Sequence, residues 1–136
     1  MKPLLPALLA LALVAGCEMV NTAERAEPIA QSDPVVLRKV QPDPSLKAQV
    51  QIISANQGVV SGDLLKVQVQ VRNNIALRKS FNYKWEWYDQ NGMVVDTPTT
   101  RLWQVMRLQP RESATITGVA PNPRVVDFRL KLVENP

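Results

Sequence analysis

A chain of 136 residues, 46% of them hydrophobic and 21% charged, has room for one domain. It holds no histidine and a single cysteine, Cys17. That removes His-based triads, Cys/His dyads, His-rich metal sites and internal disulfides from consideration. The formal net charge is +4 with no dense basic run, so most cations read as solvated strand faces.

Residues 1–16 carry one positive charge at Lys2 and then an almost unbroken apolar run from Leu4 to Val14, the build of a secretory signal peptide. A helix over that run rises only about 16 Å, roughly half the hydrocarbon thickness of a bilayer, so the run is too short to be a span. Val14-Ala15-Gly16-Cys17 resembles the lipobox of bacterial lipoproteins, in which small residues admit the peptidase and the cysteine thiol accepts diacylglycerol. An ordinary signal peptide with an incidental cysteine is the plainer alternative. Lipidation at Cys17 by two or three acyl chains would make anchoring stable, since each buried methylene contributes about 0.8 kcal/mol. Glu18 follows the cysteine, where aspartate is the usual inner-membrane retention signal in enteric bacteria. The expected location is therefore the outer membrane, facing the periplasm.

From residue 17 to 44 the composition shifts to Glu, Ala, Gln, Asp and Pro, with prolines at 28, 34, 42 and 44. These bar any long helix or central strand, and the segment reads as a largely flexible tether with a reach on the order of 30 Å. The apolar run Val35 to Val40 inside it is left open as an edge strand docking on the domain.

Residues 45–136 are expected to form the globular domain. Lys66-Val67-Gln68-Val69-Gln70-Val71-Arg72 alternates without a fault, placing three valines on one face. The same period recurs from Phe81 to Trp87 and from Asp127 to Leu132, and more weakly over 48–54, 93–96, 101–108 and 112–118. Turn signals separate these runs at Ser61-Gly62-Asp63, Arg72-Asn73-Asn74, Asp89-Gln90-Asn91-Gly92, Pro110-Arg111 and Pro121-Asn122-Pro123. Of these, Asp89 to Gly92 is the strongest hairpin signal. About seven strands and no helix predict an all-β, immunoglobulin-like antiparallel β-sandwich, with a small β-barrel as the alternative.

Five of the seven aromatic residues fall between Phe81 and Tyr88. Phe81, Tyr83, Trp85 and Trp87 share one strand face and are expected at the centre of the core. The functional alternative is a stacking platform for sugar rings. Trp103 is unassigned between core and contact surface. With Arg101 and the loop pair Arg78-Lys79, it forms the candidate interaction surface. The acids Asp63, Asp89, Asp96, Glu86 and Asp127 are scattered and read as solvated turn and strand residues. Paired carboxylates of hydrolase type have no positive support. Asp89 to Gly92 echoes the start of a calcium loop but lacks its later ligands.

The valine-rich strand, Asn73-Asn74, the run Tyr83-Lys84-Trp85-Glu86-Trp87-Tyr88-Asp89, Asn91-Gly92, Trp103, and Gly118 to Pro123 followed by Asp127 to Leu130 together resemble the YcfL-like family of small periplasmic lipoproteins. The resemblance implies a lipid-anchored, all-β periplasmic protein and carries no catalytic residue, cofactor or metal with it. The leading expectation is a non-enzymatic interaction or assembly module of the cell envelope. It would be bound to the membrane through Cys17 and to an envelope protein through its surface, with no nucleic-acid partner. A peptidoglycan or envelope-glycan binding module is the alternative. A carboxylate-dependent envelope hydrolase ranks third.

Overall fold

A computed structural model describes residues 32–135. Its elements run α1 (Pro34–Leu37), β1 (Val40–Pro42), α2 (Pro44–Lys47), β2 (Val50–Val60), β3 (Leu64–Asn73), β4 (Lys79–Asp89), β5 (Gln104–Leu108), β6 (Ser113–Val119) and β7 (Val125–Glu134). The strands form a four-stranded sheet in the order β1-β7-β4-β5 and a three-stranded sheet in the order β2-β3-β6. The expected all-β sandwich is observed, in two open sheets rather than a closed barrel.

Alternation builds the core. Val67, Val69 and Val71 of β3 are fully buried, facing Phe81 and Trp87 of β4 and Phe128, Leu130 and Leu132 of β7. Trp85 stacks on Trp87 with ring centroids 5.3 Å apart and planes 10° from parallel, and both rings meet Phe128 at a tilt. These are favourable arrangements for aromatic quadrupoles. The aromatic strand is thus mainly core, as its period predicts, with Tyr83 packed at the margin.

With β1 set aside, the order follows the immunoglobulin pattern, β2, β3 and β6 standing where the first, second and fifth strands share one sheet. In the other sheet the position beside the last strand is taken by β1, which pairs parallel to β7 through Val40↔Leu130 and Pro42↔Leu132. The expected purely antiparallel arrangement is corrected on this point.

The boundary expected at residue 45 also moves. Residues 34–44, read as the end of the tether, are folded, and the apolar run Val35 to Val40 supplies α1 and the start of β1. Pro34 and Pro44 each sit in the first turn of a four-residue helix, where a missing N–H costs nothing. Asp33 caps α1 by accepting from the Val35 amide at 2.8 Å. Each helix drives one side chain inward: Val36 is 1% exposed and Leu46 fully buried. Residues 17–31 of the expected tether, Cys17 among them, and the signal peptide lie outside the described residues.

Two turns behave as their residues dictate. Gly62 and Asp63 both have positive φ in the β2–β3 hairpin, and Gly92 does so after β4. In the second turn Asp89 Oδ1 accepts from the Asn91 and Met93 amides. The weak strand expected at 93–96 reduces to a single bridge, Tyr88 with Val94.

Candidate functional site: the open flank of the sandwich

β5 is short. It pairs with β4 only from Lys79 to Tyr83, so on that side β4 has no ladder partner from Lys84 to Glu86, before residues 93–95 take up its far end through the Tyr88–Val94 bridge. Across the sandwich, β6 is the edge of the other sheet. The two edges and the loop that precedes β5 enclose a cleft of about 210 Å³.

Trp85 and Trp87 line this cleft from β4, and Thr117, Gly118 and Val119 line it from β6. Gly118 is what lets Trp85 lie where it does. A Cβ there would stand 2.4 Å from Cε2 of the indole, so only glycine allows the ring against the facing strand. Trp85 is 8% exposed, and its indole N–H has no hydrogen-bond partner.

The loop wall is held by threonines. Thr97 and Thr100 bind each other reciprocally, the Thr97 amide donating to Thr100 Oγ1 at 2.7 Å and Thr100 Oγ1 donating to the Thr97 carbonyl at 3.0 Å. Gln104, at the start of β5, accepts from the Tyr83 hydroxyl at 2.6 Å. Burial pushes the Tyr83 phenol above its usual pKa, so this donor keeps its proton at neutral pH.

Around the mouth lie exposed apolar side chains: Leu102 (64% exposed), Trp103 (46%), Val105 (53%) and Val119 (46%). Lys84 places its ammonium 5.6 Å from the Trp103 ring centre, a cation–π contact on the outer face of the four-stranded sheet. Trp103, unassigned by the sequence, is therefore a half-exposed rim residue. Arg101 is exposed in the same loop, 3.5 Å from Asp96.

The other two expected surface residues are not brought to this place. Arg78 is exposed in the β3–β4 loop, and Lys79 begins β4, opposite Leu108 at the far end of β5. Lys79 is only 16% exposed and pairs with Glu134 at 2.8 Å. The dense spot Arg78-Lys79 splits where the loop gives way to β4: Arg78 stays exposed in the loop, while Lys79 enters the sheet and pairs with Glu134. Sequence reasoning missed Leu102, Gln104, Thr117, Gly118 and Val119. Gly118 alone left a sign, a glycine at the inward position of an alternating strand, after Ala114 and Ile116.

On the outer face of the four-stranded sheet, Glu86 accepts from Tyr88 at 2.6 Å and pairs with Lys131 at 2.8 Å and Arg129 at 4.0 Å. Burial alone would raise the Glu86 carboxyl. The hydrogen bonds from Lys131 and Tyr88 and the charges of Lys131 and Arg129 outweigh it and hold the group below the ordinary value. The hydrogen bond to Glu86, with burial, raises the Tyr88 phenol. Asp89 and Asp127 line one groove, but Asp127 is bound by Lys39 and Asp89 holds turn amides. Both carboxylates have structural duties there.

The strand order and the shared aromatic core define the class of protein as an immunoglobulin-like β-sandwich. The chain belongs to the family described as "Protein of unknown function (DUF1425)", whose model matches residues 37–134. The fold is similar to that of a DUF1425 family member from Shewanella sp. pv-4, with a TM-score of 0.58 and 22% identity over 64% of this chain and 79% of that one. It is also similar to that of Campylobacter jejuni cj0090, with a TM-score of 0.61 and 21% identity over 71% of this chain and 98% of that one. No curated protein matches the chain.

Proposed function

We propose that this chain is a YcfL-like lipoprotein. In this reading it is acylated at Cys17, held at the outer membrane facing the periplasm, and acts as a non-enzymatic interaction module for an envelope protein. The observation that carries the binding role is the open flank. Edge strands of both sheets lie on one side of the sandwich, and Leu102, Trp103, Val105 and Val119 expose apolar surface around them. Unpaired strand edges and clustered apolar side chains are what a partner's strand or loop covers.

Two measurements test it together. Mass spectrometry of the native protein is expected to find acyl chains on the Cys17 sulfur, and a bare thiol on a freely soluble protein removes the anchor. A photoreactive residue at Val105 is expected to give one reproducible protein adduct in intact cells. The same residue at Gln70, on the outer face of the three-stranded sheet, is expected to give none. No adduct at Val105, or equal adducts at both positions, overturns the flank as the contact surface.

A further inference from the structure

We infer that the end of the sandwich formed by α2, the β3–β4 loop and the β5–β6 turn rests on an anionic phospholipid surface, with Leu77 entering the headgroup layer and Lys47, Arg72, Arg78 and Arg111 on its phosphates. The protein contact at the flank does not enter the argument, and either reading can fail alone.

The first support is charge. Hydrogen bonds join the three connections at this end: the Asn74 amide donates to the Gln49 carbonyl at 2.8 Å, the Asn73 amide to the Glu112 carbonyl at 2.9 Å, and the Arg111 guanidinium to the Asn74 carbonyl. The cations therefore share one platform. Lys47, Arg72, Arg78 and Arg111 are all exposed, and none has a carboxylate in ion-pair range among the described residues. Lys79 and Glu134 neutralise each other, which leaves these four cations facing only Asp43 and Glu112. Like charges gathered in this way repel, and an anionic surface relieves the repulsion. The turns at the opposite end carry Asp63 and Asp89 instead.

The second support is the backbone at Arg111. Gln109 to Glu112 is a turn closed by the Glu112 amide on the Gln109 carbonyl at 3.1 Å, with Pro110 second and Arg111 third at φ 62°. Glycine or asparagine suits that third position. An arginine there accepts strain and sets a guanidinium at the tip of the turn.

The third support is an apolar loop tip. Ile75 is half-buried and Ala76 and Leu77 are exposed, a run that turn chemistry does not require. Leu77, at 71%, is the most exposed large apolar side chain among the described residues. An acidic peptide answers the cations alone. A bilayer sets anionic phosphates over an apolar layer, the order that an apolar tip flanked by cations matches.

The experiment follows amide hydrogen exchange of the full chain by mass spectrometry. The chain is mixed with vesicles of equimolar phosphatidylcholine and phosphatidylglycerol, with vesicles of phosphatidylcholine alone, or with polyglutamate. An anchor elsewhere in the chain acts equally on both vesicles, so their difference reads this end. The amides of residues 76–78 are expected to exchange about fivefold more slowly on the anionic vesicles, the weight of a single basic contact, and to lose that protection in molar salt. Lys47→Glu with Arg78→Glu is expected to abolish the difference and Leu77→Ser to reduce it, with exchange in β3 and β4 unchanged as the sign of an intact fold. Lys66→Glu with Arg124→Glu, at the opposite end, is expected to leave it as it was. The proposal is overturned by equal exchange on the two vesicles, by protection from polyglutamate but not from vesicles, by full protection in Leu77→Ser, or by equal loss from both pairs of reversals.

Discussion

Asn73 is fully buried and has all its side-chain valences met inside the protein. Its Nδ2 donates to the Leu77 carbonyl at 2.7 Å and the Gln109 carbonyl at 3.0 Å, and its Oδ1 accepts from the Ile75 amide at 3.1 Å. One side chain thus ties the end of β3 to the β3–β4 loop and to the β5–β6 crossing. Asn73→Ala is expected to cost about 3 kcal/mol, because it removes three hydrogen bonds, each worth about 1 kcal/mol, that tie β3 to two loops. Urea denaturation measures it, and a loss under about 1 kcal/mol contradicts the account. Glu86 carries the clearest pH dependence. Its folded pKa lies below its unfolded value, so its contribution is complete above about pH 4.3 and is lost as pH falls through the folded pKa. Glu86→Gln is expected to be less stable than the parent by about 1 kcal/mol at pH 7. The gap should close toward pH 3, as urea midpoints at the two pH values will show.

Among the elements, legibility follows how local the determinants are. β3 was readable because every second residue of Lys66 to Arg72 is a valine, and the burial pattern repeats that alternation. β4 and β7 were readable for the same reason, and the aromatic face of β4 found its place in the core. α1, β1 and α2 were not, because a four-residue helix has no period to detect and the prolines that argue against structure are the residues that start both helices. Their burial is decided by contacts with β2 and β7, which leave no mark on the segment's own composition. The cleft was hidden for a related reason: Trp85 and Gly118 belong to different sheets, and no spacing along the chain announces that they touch. That residues 34–47 belong to the core has a direct check. Val36→Ala is expected to lower stability by about 2 kcal/mol, combining two lost methylene equivalents with a small cavity. Val35→Ala, at a position 52% exposed, should leave the urea midpoint nearly unchanged.

At the scale of the molecule, the sandwich has two unlike flanks and two unlike faces. β1 and β2 form one flank, where Ser32 accepts from the Ala55 amide at 3.2 Å as the chain joins the domain. β5 and β6 form the other, separated from the first by the width of the sheets, about 14 Å. The described chain therefore enters at Ser32 on the side away from the cleft and its apolar rim. The outer face of the four-stranded sheet is a lattice of charges centred on Glu86, and that of the three-stranded sheet presents Gln68, Gln70, Thr115 and Thr117. Such a division suits a body that meets different neighbours on different sides.

The parallel seating of β1 beside the last strand has a mechanical meaning. Pulling on the chain ahead of Ser32 while the far end of β7 is held draws two like-directed neighbours past one another. The amide of Leu130 bound to Lys39 and that of Asp43 bound to Leu132 then resist together in shear instead of opening one after another. A domain pulled from its leading end in this way resists being unravelled.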